Sequence, residues 1–354
     1  MPDEKALDLL REGIVMPAHP LALTKDRKLD ESRQRALTRY YLDAGAGGVA
    51  VGVHTTQFAI REPKHGLLRP VLELAAETMA QRQEELGRRI VRVAGVCGQT
   101  EQAVGEAELA RELGYDLGLL NLSAYPDADD DTLLAHARRV AEVIPVFGFY
   151  LQPGIGGRLL SKSFFREFAS IPNLIAVKMA TFDRDLTMEA IQGIGESGRG
   201  DDVLLYTGND NYIVEDLTEG YLLPTDQGDV LRRMAGGLLG HWAVWTKAAV
   251  DMLEEIKAAR AIDGFNPSRF SHLADEVTEM NHYLFDFDHG FRGCVPGVHE
   301  ILRRQGLLEG IWCLDPDEVL SEGQADALTR VSQTFPHLTD DAFVAENLDR
   351  WLAD

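Results

Sequence analysis

The sequence predicts a (β/α)8 barrel, an α/β fold, followed by a C-terminal helical extension. Three observations carry this. Eight short apolar runs of β-forming character recur through residues 1–245. Amphipathic stretches of helical periodicity alternate with them, as crossover helices between parallel strands require. The strand-like runs then stop, and residues 246–354 read as helices. The expected organisation is a barrel over 1–245 with a helical region, 246–354, packed on it.

The expected strands are 13–18 (GIVMPA), 48–53 (GVAVGV), 91–97 (VRVAGVC), 117–123 (LGLLNLS), 146–151 (VFGFYL), 174–180 (LIAVKMA), 203–208 (VLLYTG) and 236–242 (GGLLGHW). Helical periodicity runs over 31–44 and 101–113, which end at Gly45 and Gly114. Glycine there supplies the left-handed residue that closes a helix. Residues 131–143 and 162–169 are also helical in pattern, and 194–202 (IGESGRGDD) reads as a polar loop. Ser321-Glu322-Gly323-Gln324 is a capping-box pattern. Gly45-Ala46-Gly47-Gly48-Val49-Ala50 matches G-x-G-x-x-A but follows a helix and precedes a strand. A dinucleotide fingerprint needs the reverse order, so no nucleotide cofactor is expected.

Composition narrows the function classes. The chain has 354 residues, 45% hydrophobic and 26% charged, with 35 basic against 57 acidic residues and a formal charge of -22. Nucleic acid and anionic membranes select for clustered cations, so neither is an expected partner. Three cysteines, Cys97, Cys294 and Cys313, form no C-x-x-C pair and fit a reducing cytoplasm. Met1-Pro2-Asp3-Glu4-Lys5 starts no secretory signal, and no apolar stretch approaches bilayer-spanning length.

In a barrel, chemistry belongs at the C-terminal ends of the strands. Lys178 lies late in the sixth apolar run, Leu174-Ile175-Ala176-Val177-Lys178-Met179-Ala180. Burial lowers a lysine pKa and leaves neutral amine that can attack a carbonyl to form a Schiff base. Alone, such a lysine more often snorkels or pairs with an acid. Tyr150 ends the fifth run, 28 residues earlier. That is one strand–helix–strand unit, so the two are expected side by side as amine nucleophile and phenolic proton carrier. Asp210 follows the seventh run and is a candidate for substrate hydroxyls or for a helix N-cap. His241-Trp242 ends the eighth. His54, Thr55 and Thr56 follow the second, where hydroxyls and N–H groups could hold a carboxylate. His282, Asp286, Asp288 and His289 form a polar cluster in the tail without known metal-ligand spacing, so no metal is expected.

Together these residues resemble the dihydrodipicolinate synthase / N-acetylneuraminate lyase family of class I pyruvate aldolases, over about residues 10–330. The likeness begins at Gly13-Ile14-Val15-Met16-Pro17 and Gly47-Gly48-Val49-Ala50-Val51-Gly52. Tyr150-Leu151-Gln152-Pro153 is similar to the family's Tyr-Asn-x-Pro, and Ala176-Val177-Lys178 to its Gly-x-Lys strand. The resemblance implies a cofactor-free, homo-oligomeric enzyme, dimer or tetramer. It implies that Lys178 forms the imine with a 2-oxo acid, that Tyr150 relays protons, and that Thr55 and Thr56 hold the carboxylate. Tyr125 would match a family tyrosine that reaches a neighbouring subunit. His54, Ile155, Asp210 and His241 would shape the substrate pocket. The chain departs from the family at Pro126, which replaces a second tyrosine, at His54-Thr55-Thr56-Gln57, where the threonine register stays open by one, and at Met179. Glycines follow Pro153, and Arg158 comes too late for the arginine of synthase members. The expected function is therefore a Schiff-base lyase, aldolase or dehydratase, on pyruvate or a 2-keto-3-deoxy sugar acid, not a true dihydrodipicolinate synthase. The alternative is a barrel that binds a 2-oxo acid without turnover. A metal-dependent aldolase using His241 is a third reading.

Overall fold

The computed structural model describes residues 2–225 and 228–353, except for the side chains of Ile155, Pro224 and Thr225. Its strands are β1 (Val15–Pro17), β2 (Gly48–Val51), β3 (Val91–Val96), β4 (Leu117–Leu120), β5 (Val146–Leu151), β6 (Leu174–Ala180), β7 (Leu204–Thr207), β8 (Tyr221–Thr225), β9 (Gly228–Arg232) and β10 (Gly236–Leu239). Its helices are α1 (Glu4–Glu12), α2 (Glu31–Asp43), α3 (Leu68–Leu86), α4 (Thr100–Glu112), α5 (Asp130–Ala141), α6 (Lys162–Ala169), α7 (Arg184–Ile194), α8 (Ile213–Thr218), α9 (Thr246–Arg260), α10 (Ser271–Leu284), α11 (Cys294–Arg304), α12 (Gln324–Thr334) and α13 (Asp341–Leu352). Eight strands form one sheet in the order β1-β10-β7-β6-β5-β4-β3-β2, and a parallel bridge from Ala18 to Ala50 links its two end strands. This is the (β/α)8 barrel topology. All eight expected apolar runs are strands of it, most trimmed at their ends. No helix among the described residues is long and apolar enough to cross a membrane.

Contacts divide the chain into two compact units, residues 1–13 with 91–238 and residues 14–90 with 239–354. This division differs from the expected cut at 245, which follows the change in secondary structure instead.

The first unit holds the consecutive parallel ladders β3-β4, β4-β5, β5-β6 and β6-β7. Buried side chains fill both faces of β6, from Leu174 to Ala180. Such two-sided burial is usual where helices cover a parallel sheet. Helix starts are fixed by caps: Asp129 accepts from Thr132 N, Ser161 from Phe164 N and Asp183 from Leu186 N. Two segments differ from expectation. Residues 195–199 are a helical continuation of α7, broken at Gly198 (φ 76°). Arg199 holds that turn by donating to the carbonyls of Ala169 and Ile171. β8 and β9 pair antiparallel as a separate two-stranded sheet that the sequence reading did not anticipate.

The second unit carries β1, β2, α2, α3 and the helical tail. Gly45 (φ 103°) follows α2 as expected. Tyr40 on α2 donates to Asp340, and Trp351 Nε1 donates to Asp43, so α13 packs on α2. The expected capping box at 321–324 is only half formed. Gln324 accepts from Ser321 N, but the Ser321 hydroxyl donates to Asp286, and Gly323 (φ 79°) precedes the helix.

Candidate active site

Lys178 is 8% exposed on the central strand β6. Its partners across the two ladders are Phe149 on β5 and Tyr206 on β7. The Nζ lies 4.6 Å from the centroid of the Phe149 ring. On the β7 side, a Cβ at Gly208 would come within 2.3 Å of Lys178 Cε and 2.7 Å of Cγ. Glycine at 208 therefore leaves the slot that the lysine stem fills. Burial pulls the ammonium down to about 8, while the negative charge of Asp210 works the other way. At that value about one molecule in ten carries the neutral amine at pH 7.

Tyr150 does not stand opposite Lys178. The ladder starts with Val146 against Leu174, an offset that would pair Tyr150 with Lys178. A bulge then intervenes, and the next pair is Phe147 with Ala176. The skipped residue, Ile175, advances the register by one, so Tyr150 faces Met179. A one-residue shift moves a side chain to the other face of the sheet. The Tyr150 ring packs on Phe165 of α6, centroids 5.0 Å apart. Its hydroxyl donates to Leu160 O and accepts from Leu160 N, both at 3.3 Å. Burial raises its pKa.

The segment after β7 separates two roles. Asn209 points away from Lys178: its Oδ1 accepts from Phe182 N and its Nδ2 donates to Asp216. Asp216 is buried and also accepts from Thr207 and Tyr221. Burial raises its pKa while these donors oppose the shift. Asp210 is 5% exposed and does not cap α8, whose N-cap is Tyr212.

Loop 152–158 makes a tight return. Gly157 N donates to Gln152 O and Arg158 N to Leu151 O. A Cβ at Gly157 would lie 1.8 Å from Leu151 O. The return brings Arg158, which sequence counting put too far along, back beside the end of β5, where it lines a small cleft with Phe149. Its guanidinium donates to the carbonyls of Tyr125 and Ala128. Ile155 closes the turn Pro153–Ile155, and its side chain lies outside the described residues. The Tyr125 hydroxyl accepts from Thr100 N at 2.9 Å, and its ring packs on His136.

The remaining candidates belong to the second unit. His54, Thr55 and Thr56 form one 3-10 turn after β2. Thr55 donates to Ala18 O at 2.7 Å and Thr56 to His19 O at 2.6 Å. Thr56 also accepts from Gly52 N and Val53 N. Both hydroxyl protons are therefore spent on backbone carbonyls, whereas a bound carboxylate needs donors. His54 packs near Phe58. His241 lies just past β10, beside Asn281 and Trp245, and burial lowers its pKa to about 4. Trp242 is buried. In the tail, His282 pairs with Asp288 and His289 with Asp286, and no metal-holding cluster occurs among the described residues.

Sequence reasoning missed Phe149 and Gly208. The strand-end glycine carried a signal, a lysine stem needing space beside it, but only the register reveals the neighbour.

A profile described as the dihydrodipicolinate synthetase family matches residues 12–221. A 4-hydroxy-tetrahydrodipicolinate synthase of Desulforudis audaxviator is 29% identical over 182 residues, covering 50% of this chain and 58% of its own. The chain thus spans little more than half the length of that curated relative. The structure of a chloride-inhibited dihydrodipicolinate synthase from Acinetobacter baumannii complexed with pyruvate superposes with a TM-score of 0.72 at 19% identity, covering 94% of this chain and 99% of that one. CdNal from Clostridium difficile, in complex with mannosamine, gives 0.70 at 17%, covering 91% and 99%. Likeness at these identities establishes the fold.

Proposed function

The chain belongs to the dihydrodipicolinate synthetase family, and from that premise we propose that it is a Schiff-base lyase, aldolase or dehydratase, acting on a 2-oxo acid. The single observation that carries the reading is Lys178, a buried lysine whose pKa falls to about 8. Neutral Nζ adds to the C2 carbonyl of the acid, and loss of water leaves an imine. The iminium carbon then accepts the electron pair released when a bond at C3 or beyond breaks. Pyruvate, present in the related Acinetobacter structure, is the simplest member of the substrate class, with 2-keto-3-deoxy sugar acids the larger candidates. Thr55 and Thr56 enter as carboxylate-binding residues through the sequence resemblance alone. On sequence grounds the proposal extends to a cytoplasmic homo-oligomer whose tail, 246–354, supports the barrel.

The test is borohydride reduction in the presence of pyruvate, followed by peptide mass mapping. A reduced adduct on Lys178, absent from Lys178→Ala, is the expected result. No adduct with pyruvate or any sugar-derived 2-oxo acid would sink the reading. An adduct without turnover of any such acid would favour the binding-only barrel.

A further inference from the structure

We propose that the outer edge of β9 pairs antiparallel with the same edge of a second copy of this chain, two-fold about Leu231. The inference goes beyond the Schiff-base reading and does not depend on it.

β8 and β9 form a two-stranded sheet apart from the barrel strands. Its two faces differ. Tyr221 and Leu223 are buried, and a Cβ at Gly195 would come within 3.1 Å of Leu223 Cβ. The cross-strand pair Leu222 and Leu231 lies on the other face, 58% and 50% exposed.

The two edges differ as well. Pro224 stands opposite Asp229. Proline has no N–H to donate, so this is a non-hydrogen-bonded pair, and bonded pairs alternate with it. Tyr221–Arg232 and Leu223–Val230 are then the bonded pairs. The N–H and C=O groups of Leu222 and Pro224 face outward on one edge, and those of Asp229 and Leu231 on the other. Proline blunts the β8 edge against strand addition. The β9 edge has a full set of donors, and no strand among the described residues pairs with it. An open edge of this kind is a template for another strand.

Charge selects a second copy as that strand. With a formal charge of -22, two copies repel unless the contact itself is matched. An antiparallel register that sets residue 231 against itself also sets residue 229 against residue 233 of the second copy. Asp229 and Arg233 carry opposite charges, and among the described residues neither side chain has a hydrogen-bond or ion-pair partner. The Arg233 Nε is buried without one. The two-fold meets each charge with its opposite, twice. It also brings the two Leu231 side chains together, flanked by the two Leu222, as one apolar strip across a four-stranded sheet.

Oxidation of Leu231→Cys with diamide reads the register. Bonded antiparallel neighbours have Cα atoms about 5.5 Å apart, within disulfide reach. A covalent dimer joined through residue 231 is expected, with none from the parent under the same oxidation. Leu222→Cys is expected to give none, because three strand spacings, about 14 Å, separate it from its equivalent. Crosslinking of Leu222→Cys as readily as Leu231→Cys would mean that the leucine faces stack, and would overturn the edge pairing. Sedimentation velocity from about 1 μM to about 1 mM, the range of micromolar to millimolar affinities, reads the association itself. Arg233→Asp is expected to weaken it at least about tenfold, and Arg233→Asp combined with Asp229→Arg to return it within about threefold of the parent. This pair keeps the test decisive if the cysteine variant fails to fold. A parent whose mass does not change with concentration, parent-like association in Arg233→Asp, or no rescue in the double variant each overturns the proposal. Borohydride trapping at Lys178 is scored separately, so failure of the edge leaves the Schiff-base reading standing.

Discussion

Phe149 lies directly across the β5–β6 ladder from Lys178, with the amine 4.6 Å from its ring centroid. The face of an aromatic ring attracts an ammonium and so favours the charged form. The ring thus offsets part of the burial that depresses the lysine. Phe149→Leu keeps the site apolar and removes the ring face. We expect the Lys178 pKa to drop by roughly half a pH unit, since an interaction of about 0.7 kcal/mol is lost. The pH dependence of borohydride trapping measures it. An unchanged or higher midpoint would show that the ring acts through packing alone.

Lys178 also sets a stability window. The folded group titrates near 8 and the ordinary side chain near 10.5. Between those values the unfolded chain binds more protons, so stability rises with pH across the window. Below it the buried ammonium costs the fold about 3 kcal/mol. Lys178→Met should therefore stabilise the protein at pH 7, by up to that amount, while abolishing imine formation. The advantage should shrink as pH climbs toward 10.5. Urea unfolding at pH 7 and pH 10 tests this; a gain that does not diminish at high pH contradicts it.

Gly208→Ala probes the slot beside the lysine. The added methyl would sit 2.3 Å from Lys178 Cε and 2.9 Å from Met179 O. Overpacking of this kind costs about 1–3 kcal/mol and moves the more mobile partner. The lysine stem is that partner, because Met179 O is backbone already bonded to Gly208 N. The expected outcome is a protein that still unfolds cooperatively but traps pyruvate at least about tenfold more slowly, one decade being about 1.4 kcal/mol. Parent-like trapping would mean the lysine shifts without losing its working position.

The sequence made some of this legible and hid the rest for definable reasons. The limits of β5 and β6 are those of the apolar runs, because burial on both faces selects continuous hydrophobic residues. The bulge at Ile175 leaves no compositional trace, since offsets of 28 and 29 residues are equally compatible with the same two runs. That single residue decides whether Tyr150 or Phe149 meets Lys178. Asp210 stood out as a strand-end acid, but it lies in the turn after β7 and leaves the N-cap of α8 to Tyr212, which strand-end position alone does not reveal. Arg158 looked misplaced because residue counting assumes an onward loop, whereas Gly157 permits a return against Leu151. The pairing of β8 with β9 escaped notice because Leu222 and Leu231 are half-exposed and the apolar alternation of the two strands is weak.

Thr56 separates a carboxylate-binding role from a structural one. Its hydroxyl donates to His19 O and accepts from Gly52 N and Val53 N. It thereby ties the end of β2 to the chain leaving β1, beside the Ala18–Ala50 bridge. The side chain is fully buried, so Thr56→Val keeps the shape and leaves one carbonyl and two N–H groups without that oxygen. Each unmet buried group costs about 1 kcal/mol or more, which predicts a loss of about 3 kcal/mol or more. Thr56→Ser retains the hydroxyl and should recover most of it. If the hydroxyl instead serves mainly a substrate carboxylate, Thr56→Val would leave urea unfolding unchanged and weaken pyruvate saturation of the trapping reaction. Measuring both quantities on the same two variants decides between the roles, because the seam bonds act on stability with or without ligand and a carboxylate contact acts only when ligand is present.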